Sequence, residues 1–177
     1  MTIHSSHPFL TPEEGRDPVR RLRARIGGTV SLWTSGEGPE RAGLTVSSYM
    51  VAAGDPARLL GLLHPDSDLL DRLEETGRGV VQLLEWRHRG LAEAFAGLAP
   101  APGGLFRLGE WDQTDWGPRL AGASAWAGFR LDRGSPAAPL RTVGWSVLAE
   151  AVLEHVEIGE ERHPLVHRRG RYQRPLG

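Results

Sequence analysis

A mostly β, antiparallel barrel is the fold class that this 177-residue chain predicts. Three observations carry that expectation. Stretches with strand patterning recur along the chain, the helical stretches between them are few and short, and the regular strand-helix alternation of a parallel sheet is missing. The length suits one domain with a real hydrophobic core. We expect a loose N-terminal tail over residues 1–16 and a single domain over 17–177.

Asp17-Pro18 reads as an N-cap and first helical residue, and Val19, Leu22 and Ile26 recur at helical spacing up to Gly27-Gly28. Arg20, Arg21, Arg23 and Arg25 form its solvated face. Thr29 to Thr34 is a β-branched strand closed by the turn set Ser35-Gly36-Glu37-Gly38-Pro39. A second strand runs over 42–52, and Asp55-Pro56 turns the chain into a Leu-rich strand over 58–64. Ser67 caps a helix with Leu69, Leu70 and Leu73 on one face and Gly77 as its stop. Val80 to Leu84 is a strand, and Leu91 and Phe95 mark a short helix ending at Gly97. Pro100 to Gly104 is a loop. Arg119 to Asp132 and Arg141 to Val156 are long strand-like stretches, expected as antiparallel neighbours joined through Gly134-Ser135-Pro136, with helix still open for Val147 to Leu153.

Composition narrows the chemistry. A hydrophobic fraction of 40% and a charged fraction of 24% are those of a soluble globular protein, and a net charge of -1 gives no global field for nucleic acid or an anionic membrane. All 21 basic residues are arginine, which excludes a Schiff-base or P-loop lysine from this chain. With no cysteine there is no disulfide, thiolate metal site or cysteine nucleophile. No apolar run reaches membrane-span length, and residues 1–12 lack a basic-then-apolar secretion signal, so a cytoplasmic location is expected. His163 and His167 lie four apart, but Pro164 intervenes and no third ligand is evident, so no metal site is expected. The C-terminal Arg168, Arg169, Arg171 and Arg174 have Tyr172 as their sole aromatic neighbour, and nucleic-acid binding is not expected. No general acid or base stands out, and G-x-G-x-x-G after a strand is absent.

The stretch Gly43-Leu44-Thr45-Val46-Ser47-Ser48-Tyr49 carries the clearest chemistry. Alternation places Gly43, Thr45 and Ser47 on one face of the 42–52 strand. Hydroxyls beside free strand-end N–H groups suit the carbonyl, ring-nitrogen and phosphate acceptors of a flat polar ligand, and Gly43 would let it approach the backbone. The other reading is a half-buried strand whose hydroxyls face water.

This run resembles the G-x-T-x-S-S-[FY] signature of the flavin reductase-like family. The resemblance continues through Val19 to Thr34, Asp55-Pro56 to Leu62, Ser67, Leu73 to Val81, Leu91 to Gly97 and Pro164 to Tyr172. It implies a six-stranded antiparallel Greek-key split barrel with short peripheral helices, found as a homodimer. It also implies FMN or FAD held at Gly43, Thr45, Val46, Ser47, Ser48, His64 and Ser67, reduced by hydride from NADH or NADPH and passed to a partner monooxygenase. A flavin carrier or structural dimer without turnover, and a relative using deazaflavin, are the alternatives.

Two segments depart from the family pattern. Where the family carries N-R-x-S-x-T at a helix N-terminus for the flavin phosphate, this chain has His64, Pro65, Ser67 and Leu69. Asp66 and Asp68 flank the serine there, and two like charges about 4 Å apart cost on the order of 4 kcal/mol at an effective dielectric of about 20. Phosphate binding therefore needs an arginine from elsewhere, with Arg41, Arg162 and Arg168 as candidates. Where the family carries Gly-Asp-His, this chain has Gly144-Trp145-Ser146, so a hydroxyl replaces the histidine. Trp145 is expected inside the barrel, with stacking on a ligand ring as its other role, and the loop from Glu110 to Pro118 as a surface loop pinned by Trp111 and Trp116 or a cover over a ligand.

Overall fold

A computed structural model describes residues 17–135 and 137–175, so the expected N-terminal tail, Pro136 in the expected connection, and the last two residues lie outside the described residues. The chain opens with helix α1 (Pro18–Ile26), whose N-cap Asp17 accepts a hydrogen bond from the Val19 N–H, and which ends at Gly27 with φ 66°. None of its residues is buried. Its apolar stripe Val19, Leu22 and Ile26 stands in solvent instead of facing the core that an amphipathic helix ordinarily covers.

The strand expected over 29–34 is two pieces, β1 (Gly28–Thr29) and β2 (Ser31–Ser35). Between them Val30 bonds Leu165 and Leu84, whose backbone groups lie outside the main ladder. The 42–52 stretch is likewise interrupted, into β3 (Ala42–Val46) and β4 (Tyr49–Ala52), with Ser47 and Ser48 at the break. There follow β5 (Arg58–Leu63), α2 (Asp68–Thr76), β6 (Arg78–Leu83) and α3 (Arg89–Phe95). The Glu110 to Pro118 loop belongs to a hairpin of β7 (Trp111–Gln113) and β8 (Pro118–Leu120). Turns at 121–124 and 144–145 divide the two long strand-like stretches, giving β8 with β9 (Ala125–Leu131), and β10 (Arg141–Val143) with β11 (Ser146–Ile158). The helical option for 147–153 is thereby closed. A hairpin of β12 (Val166–Arg168) and β13 (Arg171–Gln173) pairs with β1.

The main sheet runs β3-β2-β6-β9-β11-β5-β4 with β10 on β11, and every pairing in it is antiparallel. Its two outer strands are consecutive in the chain, so the sheet curls until β3 hands over to β4. With β3 and β4 counted as one interrupted strand and the short β10 set aside, these are the six strands of the expected split barrel. Trp33, Leu59, Leu63, Phe129, Ala149 and Ala151 fill the interior, and Leu69, Leu70 and Leu73 of α2 close it. A second cluster, with Val30, Leu32, Leu84, Phe95 and Leu165, packs α3 against the outside of the sheet.

Outside the barrel, Trp116 lies over Gly128, stacks on His155 at 5.4 Å and donates from Nε1 to Glu154 at 2.8 Å. Glu154 reaches it from a bulge between Leu153 and His155. That hydrogen bond first, and the Arg130 guanidinium after it, hold the Glu154 carboxyl below the usual range despite some desolvation. The loop is thus pinned by its aromatics.

A buried polar link ties three strands. Gln82 donates to Thr34 Oγ1 at 3.2 Å and accepts from the Leu120 N–H at 2.6 Å, while Thr34 donates to the Pro118 carbonyl at 2.6 Å. Gln82→Leu strands the Leu120 N–H and should cost about 1–3 kcal/mol in urea denaturation; an unchanged midpoint would show that this bond contributes nothing to stability. His88 supplies a pH-sensitive anchor beside the same sheet end, since its Nδ1 accepts from the Glu85 N–H at 3.1 Å and so requires a neutral ring. Burial first, and then the Arg87 charge, push its pKa below 6.5. The unfolded chain binds the proton more readily, so this stability is complete above about pH 6.5 and declines as pH falls toward the folded pKa. His88→Gln should flatten that part of the melting-temperature profile between neutral and mildly acidic pH.

Candidate functional site

The seven residues singled out by sequence divide into three structural groups. Gly43 and Thr45 face α3. A Cβ at Gly43 would lie 2.6 Å from Phe95 Cε1, and the Thr45 hydroxyl donates to the Ala92 carbonyl at 2.8 Å. The space expected to admit a ligand at Gly43 is filled by the Phe95 ring, and the Thr45 hydroxyl is committed to helix docking. Val46 is a core residue.

Ser47 and Ser48 form the second group, at the interruption where the curled sheet splits. Ser47 is exposed and Ser48 half-buried. Ser31 accounts for the strand end, its Oγ donating to the Val46 carbonyl at 2.8 Å, and the Ser48 carbonyl accepts from Leu62 N–H at 2.9 Å. Beside them Tyr49 turns inward, edge-on to Trp33 at 6.5 Å between ring centroids. Burial pushes its phenol up to about 12, so the ring is a neutral wall of the barrel mouth.

His64 and Ser67 make one turn at the head of α2. The Ser67 hydroxyl donates to the His64 carbonyl at 2.9 Å and accepts from Leu70 N–H at 3.3 Å, and His64 Nδ1 accepts from Asp66 N–H at 3.1 Å. Ser67 is the expected N-cap, and Gly77 the expected stop with φ 68°. The first helical turn already carries Asp68 and Asp71, which complement its dipole. Leu62 links this turn to the serine break, because β5 runs from its bond with Ser48 directly into His64.

The three candidate arginines lie elsewhere. Arg41 donates to Gly38 O at 2.9 Å and covers the Phe106 ring at 4.7 Å. Arg162 is 3.9 Å from Glu160, and Arg168 packs its stem on Gly27 while donating to the Arg25 carbonyl at 3.1 Å. Trp145 corrects another expectation. It is 78% exposed at the β10–β11 turn, and the tryptophan inside the barrel is Trp33.

Sequence reasoning missed a cavity of about 620 Å³ that includes Glu85, Trp86, Arg87, Ser124, Arg162 and His163 in its lining. Arg87 is braced there, donating from Nε to Glu85 at 2.8 Å and from Nη2 to the Gly122 carbonyl at 2.7 Å. These residues come from separate stretches with no shared spacing. None of the seven selected residues lines it.

The flavin reductase-like domain matches residues 23–175 of this sequence. The chain belongs to that family. It is 31% identical over 113 residues to the FMN reductase (NADH) RutF of Ancylobacter novellus, a match spanning 63% of this chain and 62% of that protein. To the 4-hydroxyphenylacetate 3-monooxygenase reductase component of Thermus thermophilus it is 28% identical over 159 residues, covering 90% of this chain and 96% of that one. Among solved structures, flavin reductase PheA2 in its native state superposes with a TM-score of 0.78 at 17% identity, over 92% of this chain and all of the other. The split-barrel fold is common to both.

Within the family fold, the local chemistry at Gly43 and Thr45 is that of helix packing. Gly43→Ala must displace Phe95 and should destabilise the protein by about 1–3 kcal/mol. Thr45→Val removes one half-buried donor and should cost about 1 kcal/mol. Denaturant midpoints check both, and wild-type stability in either variant would show that the contact with α3 contributes nothing to stability.

Proposed function

We propose that this protein is an NAD(P)H:flavin oxidoreductase that reduces FMN, with FAD as the other flavin, and supplies it to a partner monooxygenase. The family match over residues 23–175 carries the proposal. Local geometry supports the ring end of the ligand: the chain breaks its strand at Ser47-Ser48, at the barrel's split, and presents hydroxyl and backbone polar groups there. The interior itself is packed solid around Trp33, so the flavin ring lies against the barrel, outside its core.

In this reading Ser47, Ser48 and the His64–Ser67 turn orient the flavin, while Gly43, Thr45 and Val46 hold the strand that presents the serines. The flavin supplies the redox chemistry by accepting a hydride from the nicotinamide, and the protein supplies positioning and exclusion of water. Ser146 stands at the position of the family histidine and offers a hydroxyl near that turn. A homodimer belongs to the same proposal. The apolar side chains of α1, Met50 and Val51 of β4, and Val156 and Ile158 of β11 stand in solvent on the single chain, apolar surface available to a second copy.

The hydroxyl of Ser146 in place of the family histidine favours a second reading, a flavin carrier without turnover, while Asp66 and Asp68 at the α2 turn oppose a phosphate in either reading. NADH and NADPH oxidation, followed by absorbance under air with and without added FMN, separates the two. Flavin-dependent oxidation well above the protein-free rate is expected. FMN binding without such oxidation would establish the carrier, and a chain that binds no flavin at all would end both readings.

A further inference from the structure

Among the described residues no arginine hydrogen-bonds or ion-pairs with the His64–Ser67 turn, and α1 carries one to the neighbouring β10–β11 hairpin. Val147 of β11 pairs with Leu63 of β5, so continuing that register one step sets Ser146 beside His64. Trp145 precedes Ser146 at the hairpin turn, so its backbone lies one residue beyond the position beside His64. The Arg20 guanidinium of α1 lies 5.4 Å from the centroid of the Trp145 ring. Among the described residues, neither Arg20 nor its neighbours Arg21, Arg23 and Arg25 enters an ion pair, and α1 has no acid in its first turn. Two hydrogen bonds hold the helix in place from the other side, Arg169 N–H to Ala24 O at 2.8 Å and Arg168 Nε to Arg25 O.

We infer that Arg20 and Trp145 form the phosphate-ester subsite of this protein, replacing the cradle that Asp66 and Asp68 close at the head of α2. The inference rests on the proposed function and names how that site holds its nucleotide. The physical logic is a division of labour. A guanidinium over an aromatic face is oriented by the ring, so less freedom is lost when it closes on a phosphate oxygen. Most of the tryptophan surface remains open for a flat ring or a ribityl chain. The anion then lies on the α1 side of the turn, displaced from the two carboxylates, and the charge repulsion that argues against phosphate at Ser67 is relieved by distance and by the intervening cation.

Two ligands present this chemistry, the terminal phosphate of FMN and the 2′-phosphate of NADPH. Calorimetric titration of the full chain with two matched pairs tells them apart: FMN against riboflavin, and 2′,5′-ADP against 5′-AMP. Each pair differs by one phosphate. If FMN is the source, Arg20→Ala should weaken FMN roughly five- to tenfold and leave riboflavin unchanged. Trp145→Ala should reproduce that loss, because Arg20 is no longer held, and Trp145→Phe should retain most of the affinity. If the nucleotide is the source, the same pattern falls on 2′,5′-ADP with 5′-AMP unchanged, and the KM for NADPH rises relative to NADH. Trp145 is exposed and Arg20 half-buried, and neither belongs to a core cluster, so a melting curve of each variant is enough to show that the fold is intact. An Arg20→Ala chain in which neither ratio moves overturns the inference, including the case where its self-association shifts instead and the pair proves to be a contact with a second copy. A wild-type chain binding neither FMN nor riboflavin would end the flavin reading alone, and the adenosine pair would still decide this one.

Discussion

The barrel depends on aromatic rings seated where glycines have no side chain. Trp33 of β2 lies against Gly61 of β5 across the interior, so closely that a Cβ at Gly61 would enter its ring. Phe129 and Leu73 occupy the equivalent space at Gly79, Phe95 at Gly43, and Trp116 at Gly128 on the outer face. Interiors are packed to crystal-like density, so each of these contacts fixes the spacing of two elements rather than merely filling it. The Trp33–Gly61 contact matters most, because it draws β5 toward β2 and makes the sheet curl until β3 and β4 become its two edges. The break at Ser47-Ser48 follows from that closure. One strand cannot pair with β2 at one end and β5 at the other without leaving its neighbours between the two.

That constraint also decides where chemistry is possible. With Trp33, Phe129 and the leucines filling the barrel interior among the described residues, backbone polar groups become available where the ladder stops. Ser47 and Ser48 are such a place, and the turn into α2 is another, joined to the first through Leu62 and His64. Within the α2 turn the Ser67 hydroxyl, the His64 Nδ1 and the Asp66 and Leu70 N–H groups are paired locally. A self-contained helix start with two carboxylates holds its shape without an anion. It is therefore a rigid wall for a ligand, while the charge needed by a phosphate has to come from another element.

Much of the fold was legible in the sequence because the signals were local. Asp17, Ser67 and Gly77 are caps whose side-chain or backbone chemistry works within a few residues, and the strands at 58–63 and 78–83 rest on short apolar runs bounded by turn residues. The errors came from the same locality. Strand pattern ran unbroken through Ser47-Ser48, through 121–124 and through Gly144-Trp145, because a pattern of residue types does not record which partner a strand has. Gly43 was legible as a close approach, and the group that fills the space of its missing side chain is Phe95, from a helix remote in sequence. The hydroxyl of Thr45 looked available for the same reason: Ala92 is remote in sequence. Trp145 was placed in the core on hydrophobicity, whereas the turn residue Gly144, with φ 60°, lifts it clear of the sheet.

A family site can lose its own motif residues and keep its ligand, because a phosphate needs net positive potential and a few donors, and neither requirement specifies the element that supplies them. What the fold retains is the layout, a strand break facing a helix start with a hairpin turn beside them. Residues can therefore be exchanged between these neighbours without moving the ligand far. Here the helix start has become acidic and self-capped, while α1, the hairpin's neighbour, has gathered four arginines with no acidic partner among the described residues. These two changes compensate electrostatically. In the proposed subsite the anion lies on the α1 side of the turn, where the arginines offset the two carboxylates.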